Sequence, residues 1–184
     1  MVARELPYVG PPDGGMVYRV ARRFDVFAPP DWSWAEQDGT FGNRFDDPGA
    51  YRGVHEPDRF RVIYCATQRA GAFGETIARY RKTVRLPSAL DEIVDEDPVD
   101  PELAGGILPT EWRLERRVGS TNLDDDLLFV DFTAPQTFQA LTEELAGWLW
   151  RFGLKGFDLS TITSRERRLT RKAAGYIYDS GGTY

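Results

Sequence analysis

Between Phe138 and Phe152 the chain repeats large apolar side chains, Phe138, Leu141, Leu145, Trp148, Leu149 and Phe152, at intervals of three and four. That spacing predicts an amphipathic helix with one wide apolar stripe. A stripe of this width has to be covered, so the rest of the chain must supply a layer that packs on it. Thr133-Ala134-Pro135 reads as the helix start, with a threonine near the cap and a proline in the first turn, and Gly153 as its end.

The segments around this helix do not alternate regularly with further helices. Met16–Ala21, following a Pro-Pro-Asp-Gly-Gly turn, reads as a short strand. From Pro29 to Phe45 the chain is irregular and carries Trp32 and Trp34, either as an aromatic lid packed on the core or as a functional loop. Arg61–Ala66 is apolar and β-branched and reads as the clearest strand. Ala70–Arg81 then has helical spacing, with Ala70, Phe73, Ile77 and Tyr80 on one face and Glu75 between them. Leu90–Pro101 is an acidic stretch, read as an insertion over residues 90–101. Glu111–Val118, Leu127–Phe132 and Phe157–Ile162 read as strands, and Ser164–Tyr178 as a basic helix with Ser164 at its N-cap. This order predicts an α+β fold rather than a regular parallel one.

With 184 residues, 41% hydrophobic and 28% charged, the expectation is a single globular domain over residues 1–184. Nothing approaches the roughly 20 consecutive apolar residues of a membrane helix, and Met1–Gly15 has no signal-peptide character. A cytoplasmic protein without a membrane partner is expected. Cys65 is the single cysteine and His55 the single histidine, which leaves no disulfide and no zinc-type cluster, and no metal is expected. A triad-type hydrolase would rest wholly on His55, which lies in a charged loop-like stretch and reads as solvated. The net charge of −6 argues against direct nucleic-acid binding as the main role. The basic segments Arg79–Arg85 and Arg165–Lys172 read as solvated faces.

No glycine-rich dinucleotide fingerprint, no phosphate-binding P-loop and no nucleophile elbow occur. What stands out instead is an order of short pieces. Tyr18-Arg19 lies in the first strand and Gly42-Asn43-Arg44-Phe45 in the loop. Ile63-Tyr64-Cys65-Ala66 closes the next strand, and Gly74-Glu75 lies inside the following helix. This order resembles the RES domain family. There an arginine follows a glycine-containing turn and precedes an aromatic residue, a tyrosine precedes an alanine near a strand end, and a glutamate follows eleven residues later. Arg44, Tyr64 and Glu75 occupy those positions, and Tyr18-Arg19 is similar to the family's early aromatic-arginine pair. The resemblance runs from about Val17 through Arg81 and returns more faintly in Ser164–Tyr178. The chain departs from the family in having Phe45-Asp46 where tryptophan and asparagine are preferred, and in a longer stretch between Arg44 and Tyr64.

The resemblance implies an α+β body similar to ADP-ribosyltransferases. The activity it implies is removal of nicotinamide from NAD+ by phosphorolysis or hydrolysis, with NAD+ as substrate, phosphate as a second reactant in the first case, and a helix-turn-helix antitoxin as protein partner. Transfer of ADP-ribose to a protein, or a non-catalytic RES-like binding domain, are the alternatives. The residue types suit the chemistry. A guanidinium such as Arg44 or Arg19 can hold pyrophosphate oxygens through a planar fork, at about 1.5–3 kcal/mol per charged hydrogen bond. Tyr64, with Tyr18 nearby in the same nucleotide-binding set, can stack on or hydrogen-bond the nicotinamide end. Cleaving the N-glycosidic bond builds oxocarbenium character that a carboxylate such as Glu75 can stabilise. Each residue also has a plainer reading. Arg44 would be a turn residue in a surface ion pair, Tyr64 a core aromatic, Glu75 an exposed helix residue paired with Arg79, and Arg19 surface charge.

The resemblance further implies a serine beyond the last helix. Ser180 or Ser164 takes that role, or the chain is truncated before it. Truncation is the expectation, because Ser180 sits in a glycine-rich turn and Ser164 reads as a helix cap.

Overall fold

In chain order the described elements begin with strands β1 (Tyr8–Val9) and β2 (Met16–Ala21) and helices α1 (Arg69–Ile77) and α2 (Thr110–Glu115). Strands β3 (Arg117–Asn122) and β4 (Phe129–Val130) follow, then helices α3 (Pro135–Glu144), α4 (Ala146–Arg151), α5 (Leu159–Thr163) and α6 (Arg167–Asp179). Short 3-10 turns occur at Trp32–Trp34, Glu56–Asp58 and Ala78–Tyr80. The computed structural model describes residues 6–22, 25–49, 53–80, 107–164 and 166–180, so the acidic segment over 90–101 lies outside the described residues. The fold is α+β, and the described residues form two antiparallel two-stranded sheets, β1 with β4 and β2 with β3. The chain divides into two compact units. One comprises Met1–Gly15, Pro29–Ile63 and Leu123–Tyr184, and the other Met16–Ala28 and Tyr64–Asn122.

The first unit is organised by the apolar stripe. Leu141, Leu145 and Leu149 are buried with Phe157, Leu169 and Ala173, so α3 and α4 pack on the following turn and on α6. Leu145 is a single turn residue between α3 and α4, and because it keeps the four-residue spacing the stripe continues across it. The stop falls where expected. Gly153 has φ 66°, a left-handed value that favours glycine, and Leu154 N–H closes back on Leu149 O at 2.9 Å. The start differs in detail. Thr133 does not cap the helix, whose cap residue is Ala134 with Pro135 first in line. Thr133 instead donates its N–H and hydroxyl to Asp131 Oδ1, and that hydroxyl chiefly holds the Asp131 carboxyl below its ordinary range.

Phe157–Ile162, expected as a strand, is corrected to a helical segment, α5. Asp158 forms a capping box with Thr161, its carboxylate accepting the Thr161 N–H at 2.9 Å while Thr161 Oγ1 receives the Asp158 N–H. That local pairing offsets the β-branched composition of the stretch. Ser164 is corrected as well. It is the C-cap of α5 rather than the N-cap of α6, whose N-cap is Glu166 with a carboxylate accepting from Arg168 N. The expected strand Leu127–Phe132 shortens to β4, pairing Val130 with Tyr8 and Phe129 with Val9.

Gly175 lies inside α6, and a methyl group there would meet Pro48 Cγ at 2.9 Å. In an open helix alanine is preferred over glycine by about 1 kcal/mol. Here overpacking against a stiff ring, typically about 1–3 kcal/mol, outweighs that preference. Gly175→Ala is therefore expected to lower the urea midpoint, with a net cost of about 1 kcal/mol. A raised midpoint would show that Pro48 gives way.

The second unit is built on the β2–β3 ladder, which pairs Met16 with Asn122 through Ala21 with Arg117. β2 has the limits its sequence predicts. Helix α1 packs on it, burying Ala72 with Val20 and Trp112, and Phe73, Ile77 and Tyr80 close the cluster as their spacing predicts, whereas Ala70, expected on the same face, is exposed. Glu111–Val118 is corrected. Its first part is helix α2, and only Arg117 and Val118 join β3. Trp112 is 6% exposed while Leu114 is 73% exposed, so the two do not share the face that a strand would give them. The helical spacing instead brings the Arg116 guanidinium to 5.2 Å from the Trp112 ring.

Arg61–Ala66, the clearest expected strand, is also corrected. Only Ala66 forms a bridge, exchanging N–H···O bonds of 2.8 and 2.9 Å with Tyr18. A strand is defined by its partner, and the residues before Ala66 have no ladder among the described residues. Val62 and Ile63 line an apolar cavity instead.

Candidate functional site

In the first unit, Arg44 sits in a turn closed from within. Gly42 has φ 70°, and a side chain there would also meet Glu36 Oε1 at 2.7 Å, so glycine is required at this position. Asp46, 2% exposed, accepts the N–H groups of Phe41 at 2.9 Å and Asn43 at 2.6 Å on a single oxygen, Oδ2. An asparagine carbonyl would accept the same pair, so the departure at this position leaves the turn's closure intact.

The turn is then bound to α6. Arg167 Nη1 donates to Gly42 O, Arg171 Nε to Asn43 O at 3.1 Å, and Thr170 Oγ1 to Arg44 O at 2.6 Å. These donors lie at positions i, i+4 and i+3, on one face of the helix. The reading of Arg165–Lys172 as a solvated face is corrected here, since Arg171 is 6% exposed and Thr170 fully buried. The Arg44 guanidinium donates Nη1 to Ser164 O at 2.6 Å. Among the described residues its Nε and Nη2 hold no hydrogen bond, and Arg44 has no ion pair. The plain reading of Arg44 as a surface salt-bridge residue is thereby replaced by one of a guanidinium held at one corner. Ser164 Oγ serves the helix end, donating toward Thr161 O and Glu166 O, and Ser180 Oγ returns to Tyr176 O.

Beside the turn lies an apolar cavity of about 410 Å3, walled in part by Phe45, Phe60, Ile63, Phe129 and Phe132. Phe45 and Phe132 face each other at 5.0 Å across one side. The aromatic loop packs as a structural element. Trp32 stacks on Phe41 at 5.3 Å and carries the buried Arg59 guanidinium at 4.6 Å. His55 is exposed at the N-cap of Glu56–Asp58.

The second unit holds Tyr18, Arg19, Tyr64 and Glu75. Tyr64 is 41% exposed, which corrects its reading as a core aromatic. Glu75 is exposed on α1. Arg19 donates Nη1 to Val26 O at 2.7 Å and Ala28 O at 3.0 Å, so this end of its guanidinium braces the loop after β2 rather than standing as simple surface charge. Tyr18 donates its hydroxyl to Met16 Sδ. Lost hydration pushes the Cys65 thiol above its ordinary range against the opposing pull of Arg19, which makes it a poor nucleophile at neutral pH. Among the described residues no group of His, Cys, Asp and Glu is arranged to hold a metal, and no helix is long and apolar enough to cross a membrane.

A family model of the RES domain matches residues 16–179. The chain belongs to the RES domain family. No curated protein and no solved structure matches it. An NAD-related, toxin-like role and an association with NAD-acting enzymatic function come with RES membership. The match takes in Tyr18, Arg19, Arg44, Tyr64 and Glu75, and it runs on through α6. Sequence reasoning missed what α6 does for the RES turn at Arg44. The basic helix was visible, but its partners lie 125–128 residues earlier, beyond any local signal.

Proposed function

We propose that this RES domain degrades NAD+ by breaking the bond between nicotinamide and ribose, with phosphate or water as acceptor. Arg44 is assigned to the pyrophosphate, Tyr64 to the nicotinamide end and Glu75 to the ribose, with Tyr18 and Arg19 supporting the nucleotide. What carries the reading is the state of Arg44 within a family match that contains all of these residues. Nη1 is tethered to a main-chain carbonyl, and the Nε/Nη2 edge, the side-on fork that fits phosphate oxygens, is open among the described residues.

The chemistry follows from the substrate. Nicotinamide in NAD+ is a cationic leaving group, so the C–N bond breaks with its electron pair going to the ring nitrogen. Positive charge then develops at C1 of the ribose. A carboxylate near that carbon lowers the barrier by electrostatics, and binding of the remote pyrophosphate holds the sugar in place. Attack by phosphate gives phosphorylated ADP-ribose, and attack by water gives ADP-ribose and a proton. A helix-turn-helix antitoxin is the proposed protein partner, and a cytoplasmic location is proposed with it.

Incubating the protein with NAD+ and following free nicotinamide, phosphorylated ADP-ribose, ADP-ribose and labelled protein tests the activity and separates its acceptors. Nicotinamide staying bound in every condition would rule the reading out. Within it, Arg44→Ala is expected to lower kcat/KM about tenfold to a hundredfold, the value of one or two charge-assisted hydrogen bonds. Arg44→Lys should lose less, because it keeps the charge but not the fork. Steady-state kinetics on both variants checks this, and near-normal kcat/KM in both would leave Arg44 a structural residue.

A further inference from the structure

The turn bearing Arg44 is held from outside by one face of α6, and the consecutive carbonyls of Gly42, Asn43 and Arg44 each accept from a different α6 side chain, Arg167, Arg171 and Thr170 respectively. Surface arginines on a helix ordinarily serve solvent or acidic neighbours, yet Arg171 is buried and gives its Nε to a main-chain carbonyl. Thr170 is fully buried, and its hydroxyl hydrogen has two acceptors, Arg44 O at 2.6 Å and the local Arg167 O at 3.0 Å. A threonine inside a helix commonly uses the local carbonyl alone. Here the shorter bond reaches the very residue whose guanidinium is assigned to phosphate.

We propose that Thr170 is a positioning residue for NAD+ binding, fixing the main chain of Arg44 so that the guanidinium, tethered at Nη1 to Ser164 O, presents its Nε/Nη2 edge to the pyrophosphate. The inference rests on the NAD+ reading above. Two anchors define the geometry, one at the Arg44 carbonyl and one at the tip of its side chain, and both come from the α5–α6 region. An arginine anchored at its main chain and at one corner of its guanidinium forms its substrate bonds with little further ordering. Arg171 contributes to the same support through Asn43 O and an ion pair with Asp38 at 3.4 Å. Thr170 is the more telling residue to change, because valine removes the hydroxyl with little change of shape.

Thr170→Val and Thr170→Ser, each alone and in the Arg44→Ala background, separate positioning from general structure. For Thr170→Val the KM for NAD+ should rise about tenfold, the usual consequence of losing one buried hydrogen bond, while kcat changes less than threefold. Thr170→Ser, which keeps the hydroxyl, should restore KM to within about twofold. In the Arg44→Ala background, Thr170→Val should add less than about twofold, because its effect passes through a side chain no longer present. An unchanged KM in Thr170→Val, or an equal rise with and without Arg44, overturns the inference while leaving NAD+ cleavage standing. Absence of NAD+ turnover by the unmodified chain, with nicotinamide uncleaved at any protein concentration, overturns the NAD+ reading and this inference together.

Discussion

Glu75→Gln is expected to lower kcat for nicotinamide release about a hundred- to a thousandfold, with KM for NAD+ changed only a few-fold. Glutamine keeps the size and the hydrogen-bonding oxygen of glutamate but not its charge. The variant therefore loses what acts on the developing oxocarbenium ion and keeps much of what holds the ribose hydroxyls. An effect of that size belongs to interactions made in the transition state and not in the ground state. The fold should tolerate the change, since Glu75 is exposed on α1 and the packing of that helix rests on Ala72, Phe73 and Ile77. Equal urea midpoints for both proteins would exclude unfolding as the cause. Expression in cells gives a second check. The unmodified chain should deplete NAD+ and slow growth, whereas Glu75→Gln should do neither. Two equally harmless chains with unchanged NAD+ would end the enzymatic reading.

The second large effect concerns stability. The side chains of Asp47 and Arg59 are both 5% exposed, with Arg59 Nε 3.8 Å from Asp47 Oδ2. The same carboxylate accepts the N–H groups of Gly49 and Phe60, and Arg59 Nη2 donates to Gly39 O and Asp47 O. Asp47→Ala removes the counter-charge and leaves a buried guanidinium between the Trp32 face and main-chain carbonyls. Breaking a buried pair from one side typically costs about 3–5 kcal/mol. That is a large share of the roughly 5–15 kcal/mol by which domains are stable. Urea unfolding monitored by tryptophan fluorescence should show the midpoint falling with little change in slope. Replacing both residues with apolar side chains should cost less than Asp47→Ala alone, because no charge then remains buried. A loss under about 1 kcal/mol for Asp47→Ala would mean that Arg59 escapes to solvent when unpaired.

How much could be read from the residues followed from the range of the signal. The apolar stripe from Phe138 to Phe152, the limits of β2 and the buried face of α1 apart from Ala70 are statements about neighbours two to four positions apart, and they held. Arg61–Ala66, Glu111–Val118 and Phe157–Ile162 did not. Strand composition says which residues tolerate a sheet, not whether a partner arrives, and only Ala66 of the first stretch meets one. For Phe157–Ile162 the deciding signal was present but local and polar, the Asp158–Thr161 box. The family was legible because membership is written in the order and spacing of short pieces such as those at Arg44, Tyr64 and Glu75, all of which lie within the matched residues. Their surroundings were not. Nothing near Arg44 in the chain announces that Ser164 will take its Nη1 or that Thr170 will take its carbonyl.

The distance in sequence between the Arg44 turn and its supports has a temporal side. Asn43 and Arg171 are 128 positions apart. During synthesis at about 5–20 residues per second, the arginine turn therefore precedes the helix that shapes it by roughly 6–26 seconds. Throughout that interval a ribosome-bound chain carries Arg44 without its scaffold. The tuned form of this turn is therefore acquired only after α6 has been made, and a chain still in translation does not yet hold Arg44 in the arrangement on which the proposed NAD+ cleavage would rest.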